Sequence, residues 1–122
     1  MHLLFERSSE HEGATGLGLL AGEVTVLAGP RLPHIGWNLV TMRRPARLTE
    51  GLGATAFYHV HSFACRPSAP DVIAGTAEYG ETFTSIVERD NVFGAQFHPE
   101  KSSRDGLALL RNFAGVCASV AA

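Results

Sequence analysis

The clearest periodicity in the chain runs from Ala54 to Ser62, where Phe57, His59 and His61 fall on one side and Tyr58, Val60 and Ser62 on the other. A period of two predicts a strand with unlike faces. Val72 to Glu78, Thr82 to Arg89 and Val92 to His98 are three further extended runs, separated by Tyr79-Gly80-Glu81 and Asp90-Asn91, which have the composition of tight turns. Together they predict an antiparallel meander. Upstream, Glu23 to Leu27 predicts a short strand ending at Gly29-Pro30, and Ile35 to Met42 another extended run. Arg66-Pro67-Ser68-Ala69-Pro70 reads as a loop. Helical spacing occurs twice. Leu3, Leu4 and Arg7 predict the tail of a short helix over Leu3 to Ser9. Leu107, Leu110, Phe113, Ala114 and Cys117 form an apolar stripe that predicts a final helix, capped by Ser102-Ser103, with Asp105 suited to its first turn and Cys117 in the core. A mixed sheet needs helices on its faces, so the pattern reads as α/β or α+β with half of the covering layer absent.

Composition narrows the class. At 122 residues and 13.0 kDa the chain has room for one domain or part of one, and 45% hydrophobic against 18% charged residues excludes intrinsic disorder. A net charge of -2 leaves no basic footprint for nucleic acid, and no apolar stretch approaches the roughly 20 residues of a bilayer span. The N-terminus lacks the layout of a secretory signal, so a cytoplasmic location and a small neutral or polar ligand are the expectation. Cys65 and Cys117 make neither a disulfide framework nor a CxxC metal knuckle. Arg43, Arg44 and Arg47 read as a solvated rim.

The most pointed chemistry is Phe97-His98-Pro99-Glu100. Here an imidazole at a strand end is followed, across a proline that turns the chain out of the sheet, by a carboxylate. Such a carboxylate can accept the Nδ1 proton, fix the tautomer and leave Nε2 as a base for a nucleophile supplied elsewhere. Taken alone, the tripeptide fits a surface turn as well as a catalytic pair. His59 and His61 share a strand face, but no third ligand at sensible spacing supports a metal site.

Context comes from Gly75-Thr76-Ala77-Glu78-Tyr79-Gly80, then Phe83-Thr84-Ser85-Ile86-Val87, then Val92-Phe93-Gly94-Ala95-Gln96-Phe97-His98-Pro99-Glu100-Lys101-Ser102. In words and spacing these segments resemble class I glutamine amidotransferases. Leu32-Pro33-His34-Ile35-Gly36-Trp37-Asn38 and His59-Val60-His61-Ser62 narrow the resemblance to the glutaminase subunits of imidazole glycerol phosphate synthases, enzymes of histidine biosynthesis. The likeness runs from residue 1 to about residue 115. It implies an α/β fold, a mixed sheet with flanking helices, of which residues 1–122 form the C-terminal portion and the N-terminal half is missing.

The resemblance also implies a Cys-His-Glu triad that hydrolyses glutamine without a cofactor or metal and passes ammonia to a cyclase subunit, a (β/α)8 barrel. His98 and Glu100 match the triad's last two members. Met1-His2-Leu3-Leu4-Phe5-Glu6-Arg7-Ser8 resembles the segment that begins just after the nucleophile, with His2 where the family has Gln. The expectation is therefore that these 122 residues are inactive alone, and that a stripped parallel sheet leaves an edge prone to self-association. Glu10 matches the residue that holds the substrate's amino-acid end, and Ser62-Phe63 the segment lining the same pocket. His34, Trp37 and Asn38 match the stretch facing the cyclase. Read from the residues alone, Glu10 is equally a helix-end carboxylate, Ser62 a strand terminus and Trp37 buried packing. A non-catalytic module binding the cyclase, or an amidotransferase of the same class with another acceptor, are the competing readings.

Overall fold

β-Branched and aromatic residues fill the segments that become strands, and the single long helix follows the last of them. The computed structural model describes residues 1–121. Its strands are β1 (Arg7–Ser8), β2 (Ala14–Thr15), β3 (Gly22–Val26), β4 (His34–Met42), β5 (Thr55–His61), β6 (Phe63–Pro67), β7 (Ile73–Glu78), β8 (Thr82–Arg89) and β9 (Val92–Ala95), with α1 over Ser103–Ala121. They form one sheet in the order β2-β1-β3-β6-β8-β7-β4-β5, with β9 added to β8. The pairings are antiparallel except that of β1 with β3. The meander of β7, β8 and β9 is as its turns predict.

The period of two decides where the core lies. In β5, Thr55, Phe57, His59 and His61 are buried while Ala56 and Val60 face solvent. Neighbouring residues feed different clusters: Ala64 and Ile86 pack with Phe57, Phe83 and Phe97, whereas Cys65 and Val87 pack with Phe5, Val24 and Val72. Since adjacent strand residues point to opposite faces, the two clusters cover the two sides of the sheet. β8 is buried continuously from Phe83 to Glu88, which makes it the strand covered on both faces.

Four expectations fail, each for a physical reason. Leu3 to Ser9 is not a helix tail but a single 3-10 turn, His2–Leu4, followed by β1. Phe5 is drawn into the core, the Glu6 N–H reaches the Gly22 carbonyl at 3.1 Å, and Arg7 pairs with Glu23 across the β1–β3 ladder. Sheet pairing outweighs one turn's worth of helical spacing. The segment from Arg66 is likewise not a loop at its start, because β6 continues to Pro67. The Arg66 guanidinium is neutralised by Glu81 and also donates to Thr25 Oγ1 and the Val26 carbonyl, while Pro67 sits at the strand end, where a missing N–H is tolerated.

The helix α1 forms as expected but turns a different face inward. Leu107, Leu110 and Phe113 are 39–52% exposed and Cys117 is exposed, so Cys117 is not core. Gly106 and Leu109 face the sheet instead, and a Cβ on Gly106 would stand 1.9 Å from the Pro99 carbonyl oxygen. Asn112 fixes the same rotation by donating from Nδ2 to the carbonyls of Leu48 and Glu50 at 3.0 and 2.9 Å. Nor does the Ser102 hydroxyl cap the helix; the Ser102 main-chain carbonyl accepts the Gly106 N–H at 3.0 Å, and the side chain is engaged elsewhere.

Candidate functional site

His98 stands where β9 has ended and the chain swings into a 3-10 turn, Pro99–Lys101, with proline at its first position. Below it, the Phe97 ring is buried and stacked on Phe57 with centroids 4.0 Å apart and planes 6° from parallel. That stack anchors the arm one residue before the imidazole. His98 Nδ1 lies 2.9 Å from Glu100 Oε1, with both side chains open to solvent. A carboxylate only accepts, so Nδ1 carries the proton and Nε2 is left as the free acceptor. The two sequence-predicted members of a base and orienter pair are thus in hydrogen-bond contact.

A cleft of about 190 Å³ opens beside this arm, lined by His2, Leu3, Arg7, Ser8, Glu10 and Gly16 among others. Glu10 begins a 3-10 turn whose next residues, His11 and Glu12, have φ of 49° and 66°. Its N–H donates to Ser8 Oγ at 3.1 Å. His2 links the cleft to the arm, because its Nε2 is 2.7 Å from Gln96 Oε1, two residues before His98. Ser62 and Phe63 lie at the β5–β6 corner and are not among the residues that line the cleft. Their carbonyls are engaged locally, Ser62 accepting the Leu27 N–H at 2.9 Å and Phe63 accepting from His61 Nδ1 at 2.9 Å.

The predicted partner stretch divides by strand parity. Trp37 is 54% exposed and presents its ring on the same side of the β4–β5 ribbon as Ile35, Leu39 and Val60, with Tyr58 edge-on at 5.9 Å. His34 and Asn38, one residue away from that parity, turn inward. His34 is buried and stacks on Tyr79 at 4.0 Å. Carbonyls dictate the tautomers of the histidines around it. His61 Nδ1–H donates to the Phe63 carbonyl, its Nε2 accepts from His34 Nδ1–H at 2.8 Å, and His34 Nε2 accepts from Asn38 Nδ2 at 3.3 Å. His59 donates from Nδ1 to the Phe57 carbonyl and accepts from Ser85 Oγ, each at 2.9 Å. Neutral rings satisfy every one of these contacts. Burial accordingly pushes His59 and His61 down to about 4, and lowers His34 as well. Among the described residues, no group of three or more His, Cys, Asp or Glu side chains is placed to hold a metal ion.

The family profile for glutamine amidotransferase class-I matches residues 10–116, which take in Glu10, the histidine strand and the His98–Glu100 pair. The chain belongs to the class-I glutamine amidotransferase family. It is 51% identical over 115 residues to the imidazole glycerol phosphate synthase subunit HisH of Pyrococcus furiosus, covering 93% of this chain and 59% of that one. The HisH subunits of Moorella thermoacetica and Aquifex aeolicus are 50% and 47% identical, with 93% of this chain and 55% and 56% of theirs covered. The chain therefore spans little more than half the length of these relatives. A Thermoplasma acidophilum protein described as a subunit of GMP synthase shares the fold, with a TM-score of 0.62 at 21% identity over 80% of this chain and 50% of that one.

Within this amidotransferase chain neither cysteine is placed as a nucleophile. Cys65 lies in the middle of β6, not in a loop, and burial pushes its thiol up to about 12, far from the thiolate that attack requires. Cys117 is exposed but sits on α1, whose first turn follows the His98 turn. Fourteen positions separate Ser103 from Cys117 on this helix, an axial distance of about 20 Å. Sequence reasoning misses Gln96, Tyr58 and Ser102, which hold the arm in place. Ser102 has the sequence signal of a helix cap, and Tyr58 only that of an outward strand position. Among the described residues no helix is long and apolar enough to cross a membrane.

Proposed function

We propose that these residues form the base-bearing portion of a glutaminase subunit of imidazole glycerol phosphate synthase, which releases ammonia from glutamine for a cyclase partner. The observation that carries this reading is the 2.9 Å contact between His98 Nδ1 and Glu100 on an arm that His2, a residue lining the same cleft as Glu10, joins through Gln96. With Nδ1–H held by Glu100, Nε2 takes the proton of an attacking cysteine thiol. It returns that proton to the amide nitrogen as the C–N bond breaks, so that ammonia leaves and a thioester remains. Water then adds with Nε2 as base, giving glutamate and the free thiol. Glu10 is the group suited to the substrate's ammonium end, and Ser62-Phe63 would line the same pocket in the assembled enzyme. The thiol is contributed from outside residues 1–122, because Cys65 is buried and protonated and Cys117 is remote. Ammonia release by the cysteine-containing enzyme, compared before and after replacement of His98, tests the assignment.

The second reading, a module that binds the cyclase without catalysis, draws on the apolar face of Ile35, Trp37, Leu39 and Val60. An exposed Trp among aliphatic side chains has the make-up of an interface anchor. Trp37→Ala is expected to weaken cyclase binding by about 2 kcal/mol, or roughly 30-fold, with the thermal midpoint of the free chain unchanged. Titration calorimetry against the cyclase subunit checks this, and equal affinity of wild type and variant would remove Trp37 from the interface. His34 and Asn38 contribute from behind by fixing β4.

A further inference from the structure

β5 is an edge strand, paired on one side only by β4. Tyr58, opposite Trp37 in that ladder, directs its main-chain groups the other way, into the His98–Ser102 turn. The Tyr58 carbonyl accepts the His98 N–H at 3.0 Å, and the Tyr58 N–H donates to Ser102 Oγ at 2.9 Å. Ser102 Oγ–H then donates to the His98 carbonyl at 2.7 Å, which closes a ring of three hydrogen bonds. A neighbouring strand would offer a main-chain carbonyl to the Tyr58 N–H. Here the chain has turned away at Pro99, and a hydroxyl takes the carbonyl's place.

Ser102 is uniquely suited to that position. A hydroxyl both accepts and donates, so one side chain satisfies Tyr58 and His98 together. It is 1% exposed, which leaves no room for water to substitute. Gly106 seals it from above: a Cβ there would lie 2.8 Å from Ser102 Cβ and 1.9 Å from the Pro99 oxygen. We propose that Ser102 is a positioning residue that pins the His98 main chain to the edge of β5, so that the imidazole keeps its register with Glu100. This rests on the reading of His98 as the catalytic base, but its first test does not.

That test uses the uniformly 15N-labelled chain. Ser102→Ala is expected to raise the exchange rate of the Tyr58 amide about tenfold, the effect of losing one hydrogen bond, while the Val24 amide on the far face is unchanged. The His98 ring nitrogens are expected to pass from the single Nδ1–H tautomer to an averaged mixture. Ser102→Cys, of similar volume but a weak donor, should move both signals in the same direction by less, and it serves if the alanine variant does not fold. Unchanged His98 nitrogens and Tyr58 exchange in a folded variant would overturn the proposal. In the cysteine-containing enzyme, Ser102→Ala should lower kcat about tenfold with KM unaltered; a kcat equal to wild type while His98→Ala is inactive would refute the clamp and spare the function. Absence of any glutaminase activity would do the reverse, leaving the exchange and tautomer results as evidence for the clamp.

Discussion

Replacing His98 by alanine in the enzyme that carries its cysteine is expected to lower kcat for glutamine hydrolysis by about 10²–10⁴-fold, the usual contribution of a positioned acid–base group. KM should change little on the proposed reading, in which Glu10 holds the substrate and His98 acts on the scissile amide. Glu100→Gln is expected to cost less, on the order of tenfold to a hundredfold. Its oxygen still accepts from Nδ1–H, and the side chain is open enough to water that its charge is partly screened. The ordering of the two variants is the informative part. A His98→Ala enzyme within a few fold of wild type would mean that another group moves the proton. A Glu100 effect larger than the His98 effect would mean that the carboxylate, not the imidazole, is the base.

The second large effect is on stability. His59 and His61 are buried among Phe57, Phe83, Phe97, His34 and Ser85, and folding lowers both from 6.5 to about 4. Above pH 6.5 both states are neutral and these rings impose no penalty. As pH falls from 6.5 to 4 the unfolded chain takes up protons that the folded chain refuses, so stability declines across that window and the loss levels off below it. The ceiling is about 3 kcal/mol per ring, and the repulsion of neighbouring His34, His2 and His98 keeps the second protonation from being easier than the first. The urea midpoint should therefore be flat from pH 8 to 7 and drop steeply between about 6.5 and 4.5. Only the lower end of that interval overlaps the range in which Glu81, held low by Arg66, begins to contribute. His59→Leu should flatten part of the slope while leaving the Glu100–His98 contact intact. A midpoint that stays constant over the interval would show that the rings are protonated, or exposed, in the folded protein.

Much of the sheet is legible because strand parity is written in side chains. The alternation of Phe57, His59 and His61 against Tyr58 and Val60 survives intact, and β8 ends where Asp90-Asn91 says it should. What fails is spacing without context. Leu3, Leu4 and Arg7 have helical intervals but too few turns to resist pairing with β3. The stripe Leu107-Leu110-Phe113-Cys117 is a genuine helical face, yet a glycine at 106 and an asparagine at 112 set the helix rotation, and neither is apolar enough to register in such a pattern. The His98–Glu100 pair is readable from three consecutive residues. Its support is not, since Tyr58 and Ser102 are 44 residues apart and meet only because the turn docks on a strand edge. His34 groups with Trp37 by proximity in sequence, although odd and even positions of β4 face opposite ways.

The most direct test of the account is glutamine hydrolysis by the purified 122-residue chain mixed with a cyclase subunit. The proposed base and orienter, His98 and Glu100, are in contact, but Cys65 is buried with a raised pKa and Cys117 is remote on α1, so ammonia release should not exceed that of the cyclase alone. Cyclase-stimulated hydrolysis that disappears with Cys65→Ser or Cys117→Ser would place the nucleophile inside these residues and contradict it.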